Sequence, residues 1–320
     1  MSDFLLPADF VKRHGAFYPP WPREQALEYT RWLARTHYEN FQVVSSLLPR
    51  ELHQDFYNIY AFCRWADDLG DEMGDSERSI ELLAWWNSEL GAMYSGQTSH
   101  PVYVALAETV EKHHIPRQPF ADLIHAFVRD QEQTSYETYD DLLDYCRYSA
   151  NPVGQLVLHV CGYTDPGRIA FSNCTCTALQ LANFWQDVRR DWYIGRVYVP
   201  LDVMARHDYS LDNLERDIAR GRASDGFRRV LRDLVTQAEE LFQQGLPLVR
   251  LVDRRLAVDV DLFSSGGLAV LKRIRRRNYD VLSRRPTIGK LGRLLLLAGA
   301  LRRNIFANGA AESSPGSSAA

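Results

Sequence analysis

Ala178-Leu179-Gln180-Leu181-Ala182-Asn183-Phe184-Trp185-Gln186-Asp187-Val188-Arg189-Arg190-Asp191 is largely apolar, yet Gln180, Asn183, Asp187 and Asp191 follow the 3-4-4 spacing of one helical face. A polar stripe on an apolar helix is not the pattern of a solvated surface. The arrangement recurs upstream. There Phe56-Tyr57-Asn58-Ile59-Tyr60-Ala61-Phe62 leads into Asp67-Asp68-Leu69-Gly70-Asp71, and Tyr60, Arg64, Asp67 and Asp71 are spaced 4-3-4. Side chains at i and i+4 stand one above the other on a helix, so each aspartate pair can present oxygens to the same hard cations. One such pair in a chain that is 24% charged would suit a solvated helix face equally well. Two pairs, each on an apolar helix, read as the halves of a clamp. A diphosphate is too anionic to meet carboxylates directly, but Mg²⁺ bridges the two kinds of oxygen and improves the leaving group. The chemistry suggested is diphosphate departure.

The 320 residues are 46% hydrophobic and 12% aromatic, enough to bury a substantial core in one large helical domain. A net charge of -4 gives no global pull toward nucleic acid. The charge is uneven, however. Residues 272–303 are strongly basic, with Lys272-Arg273-Ile274-Arg275-Arg276-Arg277 and Arg284-Arg285 ahead of Lys290, Arg293, Arg302 and Arg303, which flank the apolar run Leu294 to Leu301. Such a stretch could rest on anionic lipid, or be a C-terminal helix pair with exposed arginines. Five cysteines, Cys63, Cys146, Cys161, Cys174 and Cys176, form no CxxC pair, which argues against a disulfide framework and a structural zinc. Residues 1–22 show no secretory leader pattern, and no apolar window is long enough to span a bilayer. The expected location is the cytoplasm, with peripheral contact at the inner face of the plasma membrane as the variant.

Helical periodicity runs from Arg23 onward: 24–36, 52–71, 78–94, 101–113, 118–131, 139–161, 168–192, 225–244, and 251–282 with an interruption at Gly266-Gly267. No strand alternation appears. Residues 1–307 are expected to form one domain and the Gly-, Ser- and Ala-rich residues 308–320 a disordered tail. Within Tyr145-Cys146-Arg147-Tyr148-Ser149-Ala150-Asn151-Pro152-Val153-Gly154 a proline removes a helical hydrogen bond and a glycine follows, so the helix should kink or break there.

These motifs together resemble the squalene and phytoene synthase family. The anchors are His37-Tyr38-Glu39-Asn40-Phe41, Tyr60-Ala61-Phe62-Cys63-Arg64 with Asp67 and Asp71, Tyr145-Cys146 with the break at Pro152-Val153-Gly154, and Gln180, Asn183, Asp187 and Asp191. Gly195-Arg196-Val197-Tyr198-Val199-Pro200 and Asn278-Tyr279-Asp280-Val281-Leu282 extend the resemblance. It implies an all-α isoprenoid synthase bundle with two facing aspartate-rich helices. Asp67, Asp71, Asp187 and Asp191 would hold Mg²⁺, while Gln180 and Asn183 orient metal, water or diphosphate. Arg64 and Arg196 would contact diphosphate, and otherwise would pair with the aspartates. Tyr198, His37, Asn40 and Phe41 complete the implied substrate contacts, and Tyr145 and Tyr279 are the implied catalytic tyrosines.

Two departures from the family pattern stand out. His37-Tyr38-Glu39-Asn40-Phe41 lacks the small hydroxyls common at that segment, and Asn151-Pro152 places an amide where glycine is usual. Both look like the hopanoid-pathway branch that acts on presqualene diphosphate to give hydroxysqualene, with other enzymes of that pathway as possible partners. The alternatives are head-to-head synthesis of squalene, with NADPH, or of phytoene, and a non-catalytic helical protein that binds prenyl lipids. Asn151 would then place the quenching water, or simply bond local backbone at the break.

Overall fold

The computed structural model describes residues 4–15, 19–36 and 49–307. Among them the regular structure is helical, and extended pairing is confined to an isolated bridge between Ser135 and Val197. The first half contains α1 (Pro7–His14), α2 (Arg23–Thr36), α3 (His53–Asp71), α4 (Ser76–Tyr94), α5 (Pro101–His113) and α6 (Gln118–Glu132). After it come α7 (Tyr139–Ser149), α8 (Asn151–Val160), α9 (Pro166–Tyr193), α10 (Leu201–Arg206), α11 (Leu211–Arg220), α12 (Asp225–Gly245), α13 (Arg254–Arg276) and α14 (Lys290–Ala307). The all-α expectation holds.

Local chemistry accounts for the boundaries nearest the motifs. Asp165 caps α9 by accepting from the Arg168 amide, and Pro166 opens the helix where no amide donor is needed. Thr138 and Asp141 form a reciprocal capping box at the start of α7. The expected kink is a full break: Ala150 separates α7 from α8, and Pro152 falls in the first turn of the new helix. Gly154 lets α8 lie close on α9, because a Cβ there would overlap the side chains of Ser172 and Cys176.

Three expectations are corrected. Gly266-Gly267 does not interrupt α13; a Cβ on Gly267 would overlap the Phe242 ring, so that glycine serves close packing of α13 on α12. The helix expected over 251–282 ends at Arg276 as α13, because Asn278 and Tyr279 take left-handed backbone at φ 50° and 59°. The short helices α1, α10 and α11 add to the expected set. Too few turns show apolar period in them, although Ser210 with Asn213 makes a capping box and Gly221 a left-handed stop for α11.

Two large apolar clusters fill the interior. One surrounds α3, where Trp65 stacks on Trp86 and meets Phe10 and His100 edge-on. The other surrounds the C-terminal half of α9, joined by α7, α12 and α13. Each aspartate helix is therefore anchored in its own cluster. No helix among the described residues is long and apolar enough to cross a membrane.

One core residue is costly to ionise. Asp259 on α13 is 1% exposed and neither carboxylate oxygen has a hydrogen-bond partner. Burial first, then the charge of Asp253, push its carboxyl up to about 8. With the folded value above the unfolded one of about 3.9, the folded state holds the extra proton; stability is full below the unfolded value and is lost as pH rises through the folded one. Asp259→Asn should therefore raise Tm clearly at about pH 8.5 and much less near about pH 5. Equal gains at both pH values would count against this assignment.

Candidate active site

A cavity of about 270 Å³ lies where α3, α6, α7 and α9 converge. From α3 come Asp67 and Asp71; from α9 come Gln180, Asn183, Phe184 and Asp191. The segment after α9 contributes Arg196 and Tyr198, and α7 contributes Tyr145. Eight of the residues singled out from the sequence thus meet at one place. Arg196 ties the two sides together, its guanidinium standing 3.5 Å from Asp71. On one wall the Tyr198 ring stacks on Phe184 at 3.8 Å between centroids, with Tyr145 alongside at 6.1 Å. Such π-faces suit a cation generated in an apolar space.

The carboxylates repel one another. Burial and then the adjacent Asp187 raise the Asp191 carboxyl to about 7, and burial with the Asp71 charge raises Asp67. A bound dication would relieve that strain. Oxygen donors from carboxylates and amides fit Mg²⁺, which prefers hard ligands and keeps several sites for water or phosphate. Among the described residues no three His, Cys, Asp or Glu side chains converge closely enough to hold an ion unaided.

Four expected residues are not in the cavity lining. Asp187 is buried and receives Arg285, which donates from Nη2 at 2.8 Å to one oxygen and from Nε to the other. The same guanidinium reaches Gln186 Oε1 at 3.1 Å, and Gln186 donates to the Pro286 carbonyl, so residues 285–286 are strapped along α9. Arg64 pairs with Asp68, Asp67 and Glu72 rather than facing the cavity. Asn151 accepts the Thr177 hydroxyl at 2.8 Å, binding α8 to α9. Tyr279 lies in the left-handed turn after α13, beneath the Arg232 guanidinium at 5.3 Å. His37, Asn40 and Phe41 lie outside the described residues.

The cavity also contains residues that spacing did not reveal. Asp130 of α6 lines it and accepts the Tyr145 hydroxyl at 3.0 Å. Burial pushes its carboxyl up to about 6 against the opposing pull of Arg196. Arg129 stacks over Tyr145 at 5.8 Å, which fixes the ring from the other side. Ser149, one turn beyond Tyr145, lines the cavity as well. A single aspartate in Val128-Arg129-Asp130-Gln131 has no second carboxylate at helical spacing, and so carried no signal.

Arg285 and a divalent cation would compete for the same Asp187 oxygens. Removing a charge-assisted pair should ease cation entry, so Arg285→Gln is expected to lower the Mg²⁺ concentration giving a half-maximal thermal shift by about tenfold. An unchanged midpoint would mean that Asp187 takes no metal.

The squalene/phytoene synthase family model matches residues 34–292. A hydroxysqualene synthase of Rhodopseudomonas palustris is 31% identical over 273 residues, covering 83% of this chain and 89% of that protein. A phytoene synthase of Arthrospira platensis is 28% identical over 294 residues, covering 87% and 93%. Among solved structures, a squalene synthase HpnC from Alicyclobacillus acidocaldarius is 44% identical with a TM-score of 0.76, covering 80% of this chain and 95% of that one. A dehydrosqualene synthase determined with a ligand is 23% identical with a TM-score of 0.77, a likeness of fold alone.

Proposed function

The chain belongs to the squalene/phytoene synthase family, and from that premise we propose that it converts presqualene diphosphate to hydroxysqualene. The observation that carries the reading is the cavity itself, in which carboxylates from α3 and α9 meet beside a stacked aromatic wall and the Tyr145–Asp130 pair. The likeness to a hydroxysqualene synthase supports the choice of product.

Asp67, Asp71 and Asp191 would hold Mg²⁺, with Asp187 joining once Arg285 releases it. When bound, the metal neutralises diphosphate charge and stabilises the leaving group. Arg196, which lines the cavity, would contact the departing diphosphate through its planar fork. Phe184, Tyr198 and Tyr145 border the space in which the cyclopropylcarbinyl cation would rearrange, and their apolar faces would limit its contact with water. Capture by one held water would end the reaction as an alcohol.

The test is incubation with presqualene diphosphate and Mg²⁺ in ¹⁸O-water, without NADPH. Pyrophosphate release with a labelled C30 alcohol is expected. The second reading, condensation of two prenyl diphosphates, draws on the phytoene synthase and squalene synthase likenesses; unlabelled phytoene from geranylgeranyl diphosphate, or squalene from farnesyl diphosphate and NADPH, would establish it instead. Absence of pyrophosphate release from any prenyl diphosphate would leave only a prenyl-lipid-binding role.

A surface contact accompanies this reading. Leu291, Leu294 and Leu295 on α14 are 70%, 61% and 64% exposed, and Arg293 and Arg302 are exposed on the same helix. An apolar stripe flanked by cations suits the surface of an anionic bilayer, from which an apolar substrate would enter. Binding to vesicles should rise with anionic lipid and weaken with salt; binding indifferent to both would remove the electrostatic contact.

A further inference from the structure

We infer that Ser149, rather than Asn151, holds the water that quenches the cation. The inference rests on the hydroxysqualene reading above and names the residue that decides its outcome. Asn151 is unsuited to the task because its side-chain oxygen is already engaged by Thr177 at 2.8 Å and the residue does not line the cavity. Ser149 does line it, and its side-chain oxygen is buried with no hydrogen-bond partner among the described residues.

An unsatisfied buried hydroxyl is costly, and the cavity beside it offers the way to satisfy it. Helix geometry sets Ser149 one turn from Tyr145, so the two hydroxyl groups belong to the same face of α7. Gln180 and Asn183 of α9 supply amide groups to the same cavity. A water bonded to Ser149 would therefore have further polar partners within one small space, which is what a buried water requires. On the aromatic wall Phe184 offers no polar atom, and Tyr145 donates its hydroxyl to Asp130, so toward the water its oxygen acts as an acceptor.

The step balances as follows. The C–O bond of presqualene diphosphate breaks and its electron pair leaves with diphosphate. After rearrangement, a lone pair of the held water forms the new C–O bond. The oxonium proton passes to the Tyr145 oxygen as the phenol proton moves to the Asp130 carboxylate, along the 3.0 Å hydrogen bond between them. No electron donor or acceptor is needed, and the product is an alcohol.

Ser149→Ala, Ser149→Val and Ser149→Thr test the assignment in ¹⁸O-water with presqualene diphosphate and Mg²⁺. The readout is the labelled alcohol as a fraction of pyrophosphate released, which a general loss of stability does not alter. The alanine and valine variants should lower that fraction by roughly tenfold in favour of hydrocarbon, the scale of one lost hydrogen bond, while threonine keeps it. An unchanged fraction in both the alanine and valine variants overturns the role of Ser149 and leaves the hydroxysqualene reading standing. A wild-type enzyme that releases pyrophosphate but forms no labelled alcohol overturns the reading and this inference together.

Discussion

Asp191→Asn and Asp67→Asn should each lower turnover by about a hundredfold to a thousandfold, the range found when one preorganised electrostatic contact to a developing charge is removed. Both residues line the cavity from opposing helices. Asparagine keeps the shape and one oxygen but loses the charge that a hard cation requires. Helix content should be unaffected, because Asp67 and Asp191 are half-buried at the cavity and belong to neither apolar cluster. Chelation of the metal should abolish pyrophosphate release, with Mg²⁺ restoring it. Circular dichroism alongside a pyrophosphate assay separates the two effects, and full activity in either variant would remove the clamp from the mechanism. The asparagine variants should also lose the titration of these carboxyls, which for Asp191 lies at about 7 through burial and the neighbouring Asp187.

Trp65→Ala carries the largest expected cost in stability, about 3–5 kcal/mol for a large aromatic removed from a core. The ring is 0% exposed, stacks on Trp86 at 5.1 Å and 9°, and meets His100 edge-on at 4.5 Å. Its indole N–H donates to the Tyr29 hydroxyl at 3.0 Å, so truncation also strips a buried partner from α2. Trp65 precedes Asp67 on α3 by two residues. The cavity it leaves would loosen the segment that carries one half of the clamp, so activity should fall at temperatures well below the midpoint of unfolding. A denaturant or thermal midpoint close to wild type would show that the cluster around α3 refills the space.

The comparison of sequence with structure divides along a physical line. Helical class was legible because apolar period is a short-range property, repeated over each of the long helices, such as α9 from Pro166 to Tyr193. The break near Pro152 was legible for the same local reason, since a missing amide affects only its own turn. The two aspartate pairs could be found because i and i+4 residues are neighbours on any helix, whatever surrounds them. Gln180 and Asn183 followed from the same spacing, Tyr145, Arg196 and Tyr198 from the family resemblance, and all five meet in one cavity.

What the tertiary structure decided concerns partners distant along the chain. Asp187 faces Arg285, 98 residues away, and Tyr145 donates to Asp130 on a different helix. No local spacing encodes either contact. Asn151 and Ser149 lie only two residues apart in the linear sequence. Their fates differ because the helix breaks between them at Ala150, which turns Asn151 toward Thr177 on α9 while Ser149 stays on α7 at the cavity. Tyr279 leaves the expected site through two consecutive left-handed residues, a backbone state that sequence composition does not announce outside glycine. The sequence by itself thus determined that this is a helical protein with two carboxylate pairs able to hold hard cations, because those features depend on neighbours within one turn. Which carboxylate is open, which is held by arginine, and which hydroxyl is left without a partner beside the cavity were decided only by packing between helices, because each depends on groups that the chain brings together across tens of residues.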